Sequence, residues 1–371
     1  GPAGQCRRQR AGKTGPAALP AGGDAMSRQL LLCVLMLLAG SLLAGTARAD
    51  TTCTTSAPVT AAFGNVANAA GSPTVTSTSF TITCNTAALS LLATASVRAC
   101  IGIGTGTTGV AISPLRRMTN ANGDPMSFQL FTSAAYSTIW GLTPGTTPGP
   151  LVVDLNYSVP LLTGGSGAVT VTIYGRIPAS QTLAAGNYST SFSGADVRLQ
   201  YAFNEVLLGT ATAPAACTTT AGVAGNKTAT GGFPFTVTAT VLPQCSAYVT
   251  TDMDFGSNAG AITSNIDRTS TIGLTCLNRT AYSIALDNGL YANGTVRRMR
   301  HTTNSAWFIP YELYRESTRT QRWGSTANVD RVSGTGTGSA QVLTVYGRAP
   351  PTSGPVAAGS YSDQIKVTIT Y

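Results

Sequence analysis

The chain states one pattern twice. Cys53, Phe63, Gly64 and Cys84 recur as Cys245, Phe255, Gly256 and Cys276 at a constant displacement (245 − 53 = 192). The correspondence then resumes at other offsets, pairing Arg117-Met118 with Arg298-Met299 and Phe128-Gln129-Leu130-Phe131 with Tyr311-Glu312-Leu313-Tyr314. Trp140-Gly141 matches Trp323-Gly324, Tyr174-Gly175-Arg176 matches Tyr346-Gly347-Arg348, and Gly186-Asn187-Tyr188-Ser189 matches Gly359-Ser360-Tyr361-Ser362. Compositional bias does not produce an ordered series of this kind. The chain therefore holds two copies of one domain, and function is to be sought where the copies differ.

Alternation with a period of two sets the fold class. Ile365, Val367, Ile369 and Tyr371 alternate with Lys366, Thr368 and Thr370, and Val197, Leu199 and Tyr201 with Arg198 and Gln200, the pattern of half-buried antiparallel strands. Gly, Ser, Thr and Pro turns separate such segments. Two repeats of about 130–150 residues suit two β-sandwiches in an all-β chain.

Residues 26–49 read as a secretory signal, with Arg28 at its start, an apolar stretch from Leu30 to Leu43 and a cleavage site at Ala47-Arg48-Ala49. Asp50 is then the mature N-terminus, and residues 1–25 are expected to be read-through upstream of Met26. Six of the 23 basic and one of the 14 acidic residues precede Asp50, leaving 17 − 13 = +4 over 322 residues. With no basic run interleaved with aromatics, nucleic acid is not an expected partner. The six remaining cysteines of an exported chain are expected to form disulfides. The repeat assigns Cys53–Cys84 and Cys245–Cys276, and elimination leaves Cys100–Cys217.

The expected domains are 50–203 and 245–371, joined by a linker over 204–244. Within the linker, Phe233, Phe235, Val237, Ala239 and Val241 alternate with Thr236, Thr238 and Thr240. Such a strand, 233–241, needs a sheet to join, either completing the first domain or staying with the second.

The ordered set from Cys/Phe-Gly/Cys through Arg-Met, Trp-Gly and Tyr-Gly-Arg to the Gly-x-Tyr strand resembles the spore coat protein U domain, found in pilin subunits of archaic chaperone–usher pili. The second copy has every element including Asp363; the first has Thr190 in its place. The resemblance implies immunoglobulin-like sandwiches, at least the second of them incomplete, whose missing strand a partner supplies by donor-strand complementation. Implied partners are a periplasmic pilus chaperone, an outer-membrane usher and an adjacent pilin that donates a strand. The implied location is a pilus on the surface of a Gram-negative bacterium, reached through the periplasm. Only Asp50, Thr51 and Thr52 precede Cys53 in the mature chain. No donor segment is then expected ahead of the first copy, as in a terminal subunit.

The first copy carries more loop. Two insertions are apolar, one containing Leu89, Leu91 and Leu92, the other Leu151, Val152, Leu161 and Leu162, and a third excursion runs over Phe203–Leu208. Apolar loops mark contact surfaces, although the same residues could extend a sheet edge. The expectation is a non-enzymatic tip adhesin that attaches to an abiotic or host surface and supports biofilm formation. The alternative is an internal pilin or a secreted spore-coat component.

Signals of chemistry are weak. Gly104-Thr-Gly-Thr-Thr-Gly109 lacks the strand–helix context of a dinucleotide site, so no cofactor is expected. Asp252 and Asp254 lack further ligands for a metal. The one histidine, His301, has no nucleophile motif and is expected in an exposed loop, while Trp140 and Trp323 occur in both copies and are expected in the cores.

Overall fold

The structure, a computed structural model, describes residues 50–56, 58–88 and 92–371. The expected signal segment 26–49, residues 1–25, Leu89 and Leu91 lie outside the described residues. The first sandwich comprises β1 (Thr51–Thr55), β2 (Val59–Asn65), β3 (Thr74–Thr86), β4 (Ala93–Ile103), β5 (Arg116–Thr119), β6 (Pro125–Phe131), β7 (Leu151–Val159), β8 (Gly165–Ile177), β9 (Gly186–Phe192), β10 (Val197–Leu207), β11 (Gly225–Thr230) and β12 (Phe235–Val241). The second comprises β13 (Cys245–Thr250), β14 (Ile266–Cys276), β15 (Ala281–Leu286), β16 (Arg297–His301), β17 (Phe308–Tyr314), β18 (Val332–Thr335), β19 (Ala340–Ala349), β20 (Tyr361–Ser362) and β21 (Val367–Thr370). Sheets ordered β1-β3-β8-β6-β5-β9-β12-β2 and β11-β10-β4-β7 enclose the first core, and sheets ordered β13-β14-β19-β17-β16-β20 and β18-β15-β21 the second.

Several repeated residues perform the same physical task in both copies. The indole N–H of Trp140 donates to Ile101 O at 2.7 Å, and that of Trp323 to Ile284 O at 2.9 Å, which satisfies the polar atom of a fully buried ring. The hydroxyls of Tyr188 and Tyr361 donate to the carbonyls of Ala184 and Ala357 at 2.8 and 3.0 Å, pinning the turn ahead of the strand. Gly359, at φ +145°, leaves the space that His301 occupies: a Cβ there would lie 2.0 Å from Nε2. Cys53–Cys84, Cys245–Cys276 and Cys100–Cys217 are all bonded.

A buried arginine unites the two sheets of each sandwich. Arg116 donates to the carbonyls of Gly104 at 2.9 Å, Ile103 at 3.1 Å and Trp140 at 2.5 Å, and to the side chain of Gln129. Arg297 donates to Leu286 O at 3.1 Å, Trp323 O at 2.8 Å and Asp287 O at 2.9 and 2.6 Å, and pairs with Glu312. Both guanidiniums sit where the chain leaves one sheet for the other, and each collects the carbonyls that the crossing would otherwise strand. The first copy has Gln129 where the second has a carboxylate, and burial pushes Arg116 down to about 9.

Strand β12 lies inside the first sandwich. It pairs antiparallel with β9, from Phe235↔Phe192 to Val241↔Gly186, and parallel with β2, from Phe235↔Val59. Phe233, Phe235, Val237, Ala239 and Val241 are all buried in that core. Phe233 stacks on Phe80 and Trp140 at centroid distances of 6.0 and 6.4 Å.

Residues 204–244 are therefore not the linker expected from their composition. Strand β11 pairs with β10, Phe203 is buried, and residues 209–217 form a strap over the outer face of β4 and β10. The strap is held by Cys100–Cys217, by Ala211 N to Thr94 Oγ1 at 2.7 Å, and by Arg98 Nη1 to Ala215 O at 3.0 Å. Only Leu242, Pro243 and Gln244 separate β12 from β13. The sandwiches meet there: Ala185 N donates to Asn278 O at 2.8 Å, Arg279 pairs with Asp124 at 3.2 Å, and Leu277 packs on the first core.

His301 is a correction. It is 5% exposed, not in an exposed loop, and its ring stands edge-on to Trp307 and Tyr361. Nδ1 accepts from the backbone N–H groups of Thr303 and Asn304 at 3.2 and 3.1 Å, and Nε2 lies 3.1 Å from Ala358 O.

Two expected outcomes follow from these contacts. Val237→Asp places a carboxylate in the apolar interior of the first sandwich and should destabilise it by several kcal/mol, read as a lowered melting transition of the exported chain; an unchanged transition would remove β12 from the core. Gly359→Ala should destabilise the second sandwich by roughly 1–3 kcal/mol or more through strain and the clash with His301, and His301→Ala in the same chain should relieve the clash in part.

Candidate functional site

The second sandwich has no counterpart of β12 among the described residues. Residues 251–257, which align with β2, form no strand there, and Thr251 is the last of them held to β14, its N–H donating to Thr271 O at 3.0 Å. In the first copy Ala61, Phe63, Met118, Phe192, Val197 and Leu199 are buried. Their counterparts Met253, Phe255, Met299, Ile365, Val367 and Ile369 are only partly covered. A cleft of about 550 Å³ runs between Met253 and Phe255 on one side and Ile365 and Val367 on the other. A neighbouring cleft continues it past Tyr248, Ile369 and Tyr371.

Asp363 stands on the lip of this cleft. It accepts from the Tyr311 hydroxyl at 2.7 Å and from Tyr291 N at 3.2 Å. Burial, then Asp363, push the Tyr311 phenol well above its ordinary range. The first copy has Phe128 and Thr190 at these places, where β12 seals the space with apolar side chains. The cleft thus presents apolar side chains between two chain segments that, among the described residues, have no strand paired between them.

The opposite end of the first sandwich forms a second surface. Strand β8 spans 13 residues, roughly 40 Å, and the junction lies toward its Ile177 end. At its Gly165 end three neighbouring strand ends converge, since Leu207 pairs with Ala93 and Ala93 with Val159. The connecting turns present Leu92, Leu161, Leu162, Leu207 and Leu208, all exposed. Leu208 N donates to Leu92 O at 3.0 Å. Leu162 and Leu208 stand at φ +64° and +52°, each 75% exposed. The left-handed region costs a leucine about 1–2 kcal/mol, and neither side chain recovers that cost by burial.

Beneath these turns a polar chain fastens the strands together. Thr51 Oγ1 donates to Glu205 at 2.7 Å and lies 2.8 Å from Thr86 Oγ1, which in turn lies 2.8 Å from the Tyr157 hydroxyl.

The residues expected to be adhesive divide three ways. Leu92, Leu161 and Leu162 are on this end. Leu151 instead turns inward on β7 and packs on the core, while Val152 is exposed on the outer face of that strand. This insertion is largely an edge strand, whose alternation buries Leu155 and Val159. Leu207 and Leu208 end the third excursion, Phe203–Leu208, which the sequence marked as a segment without naming these two among the adhesive residues.

A family model, the Spore Coat Protein U domain, matches residues 39–193 and 232–368. No curated protein matches the chain. Among solved structures, the chain is similar to the CsuC–CsuE chaperone–tip adhesion subunit pre-assembly complex from archaic chaperone-usher Csu pili of Acinetobacter baumannii. Identity there is 17% over 86% of this chain and 100% of that chain, with a TM-score of 0.36. It is also similar to the CupB6 tip adhesin from Pseudomonas aeruginosa, at 12% identity over 87% and 94% of the chains and a TM-score of 0.32. A third likeness is to CfaE, the adhesive subunit of the CFA/I fimbria of enterotoxigenic Escherichia coli, at 10% identity over 85% and 93% with a TM-score of 0.31.

If the cleft accepts a strand, a copy of residues 233–241 attached after Tyr371 through a short flexible linker should raise the melting temperature of the second sandwich and its resistance to protease. An equal gain from the same extension with Val237 and Ala239 of the copy replaced by Asp would show that the extension acts elsewhere.

Proposed function

The chain belongs to the spore coat protein U domain family, and from that premise we propose that it is an exported subunit of a chaperone–usher pilus, carried at the tip and adhesive through its first domain. The observation that carries this reading is the contrast between two copies of one fold. The first has its last strand built in, as β12, and the second presents an open groove in the same place. Such a subunit accepts one strand, at the second domain, and leaves the first domain free to do something else. A periplasmic chaperone would occupy the groove during export through the usher, and an adjacent pilin would occupy it in the pilus.

The exposed leucines support adhesion as that other task. They lie on the end of the first sandwich away from the junction, two of them, Leu162 and Leu208, in a backbone conformation that leucine disfavours, and their side chains are exposed. Burial against a surface contributes roughly 1.5–3 kcal/mol per leucine at most. Repetition over many pili would turn such contacts into durable attachment and biofilm formation. An abiotic or a host surface with apolar character suits them equally.

One observation favours an internal position instead. The end of the second sandwich that corresponds to the leucine end is buried against the first, through Leu277, Asn278 and Arg279. By that precedent the leucine end could seat a preceding subunit.

Leu161, Leu162, Leu207 and Leu208 replaced together by Ser should leave export, disulfides and pilus number unchanged and reduce attachment to hydrophobic surfaces severalfold, because exposed residues contribute little to folding. Undiminished attachment by normal pili would remove this end from adhesion, and shortened pili would favour the internal position.

A further inference from the structure

The outer face of the second sandwich, turned away from its groove, carries a cationic platform that the first sandwich lacks. Arg298 and Arg300 project outward from β16, beside Pro310 and Phe308 of β17. The Arg298 guanidinium lies 4.1 Å from the Phe308 ring centroid, and that of Arg300 lies 4.0 Å from Tyr291. Tyr291 fixes both: its carbonyl accepts from Arg298 Nε at 3.1 Å and its hydroxyl from Arg300 Nη2 at 3.0 Å. Neither arginine has an ion-pair partner among the described residues. At the matching places the first copy has Arg117, Thr119 and Pro125.

A guanidinium has five N–H donors. Here each uses one on Tyr291 and sits about 4 Å over a ring, so two guanidiniums stand on one strand face, two residues apart, with no other hydrogen-bond partner among the described residues. Stacked arginines with free forks are suited to carboxylate or phosphate. Next to them, past Pro310, lies a cleft of about 490 Å³ whose lining includes Thr295, Pro310, Glu312, Tyr314 and Arg322. Glu312 and Arg322 pair at 2.9 Å, and Arg348, which also lines the cleft, is paired with Asp267 at 2.7 Å, so this cleft offers an apolar floor and hydroxyl-matching polar edges whose charges are already paired. Proline and tyrosine surfaces accept the C–H faces of sugar rings, while a paired Glu and Arg exchange hydrogen bonds with hydroxyls.

We infer that this face binds an acidic polysaccharide, with sugar rings over Pro310 and Tyr314 and a carboxylate on the Arg298–Arg300 pair. Nucleic acid fits less well, because the guanidiniums already cover the rings on which bases would stack. The site lies apart from the leucine end, and although Tyr291 also donates its backbone N–H to Asp363 on the groove's lip, the inference does not rest on the tip reading.

The test measures binding of the full exported chain to polygalacturonate, with neutral dextran and a single-stranded oligothymidylate as comparisons. Polygalacturonate should bind in a salt-sensitive manner, and dextran should not. Arg298→Gln with Arg300→Gln should weaken binding at least about tenfold, the equivalent of one charged hydrogen bond, without altering the melting curve. Tyr291→Phe keeps the ring but frees Arg300, and should weaken binding to a smaller extent; it decides the matter if the double variant does not fold. Unchanged polygalacturonate binding in these variants, equal binding of dextran, or arginine-dependent binding of the oligonucleotide alone would overturn the inference.

Discussion

A single apolar strand wedged between two others is the contact on which the first sandwich depends. Without β12 and the Phe233 that leads into it, strands β2 and β9 would each face water with a row of backbone donors and acceptors, and Trp140, Phe80 and Phe192 would lose the rings that cover them. The second sandwich displays that condition. Its counterpart of β2 forms no strand, because a strand needs a neighbour to bond to and the junction of residues 251–257 with Tyr361–Ile365 is a cleft. One fold therefore exists twice in the chain, once closed and once open, and the difference is a strand that the sequence carries between the copies.

The closed domain keeps its strand for a mechanical as well as a thermodynamic reason. β12 leaves the first core at Val241 and enters β13 at Cys245 after three residues, so any pull between the two domains is transmitted along a strand bonded on both sides. Leu277 and the Arg279–Asp124 pair add a lateral brace at the same place. The strap closed by Cys100–Cys217 ties the outer face of β4 to the chain that follows β10; a cross-link over 117 residues is worth about 4–5 kcal/mol in the loop-entropy description. The second sandwich has no such strap.

Repeated residues made most of the fold legible, because each of them answers a requirement that both copies share: an indole that must donate, a tyrosine that must pin a turn, a glycine that must leave room. The alternation at Phe233–Val241 was legible for the same reason, since five apolar residues on one face demand burial. Other features were hidden where composition does not distinguish their roles. Gly-, Thr- and Asn-rich residues 225–230 look like a linker whether they form a loop or the edge strand β11, whose exposed face needs no apolar residue. His301 looks like a loop residue until Gly359 is seen to open a space for it. Leu151 and Val152 are neighbours in an apolar run, yet the pleat of β7 sends one inward and the other out. The buried arginines were within reach: Arg116 and Arg297 directly precede the repeated Arg-Met pairs, and Gln129 and Glu312 lie in the matched segments.

The protection of two pairs of segments against hydrogen exchange separates a closed first sandwich from an open second one. Amide hydrogen exchange of the chain on its own should find 59–65 and 186–192 protected to nearly the extent of the first core, because β12 bonds both. Residues 251–257 and 361–365 should exchange far faster, and slow only when a donor strand is supplied. Equal protection of all four segments in the isolated chain would contradict the open groove, and with it the division of labour between the two domains.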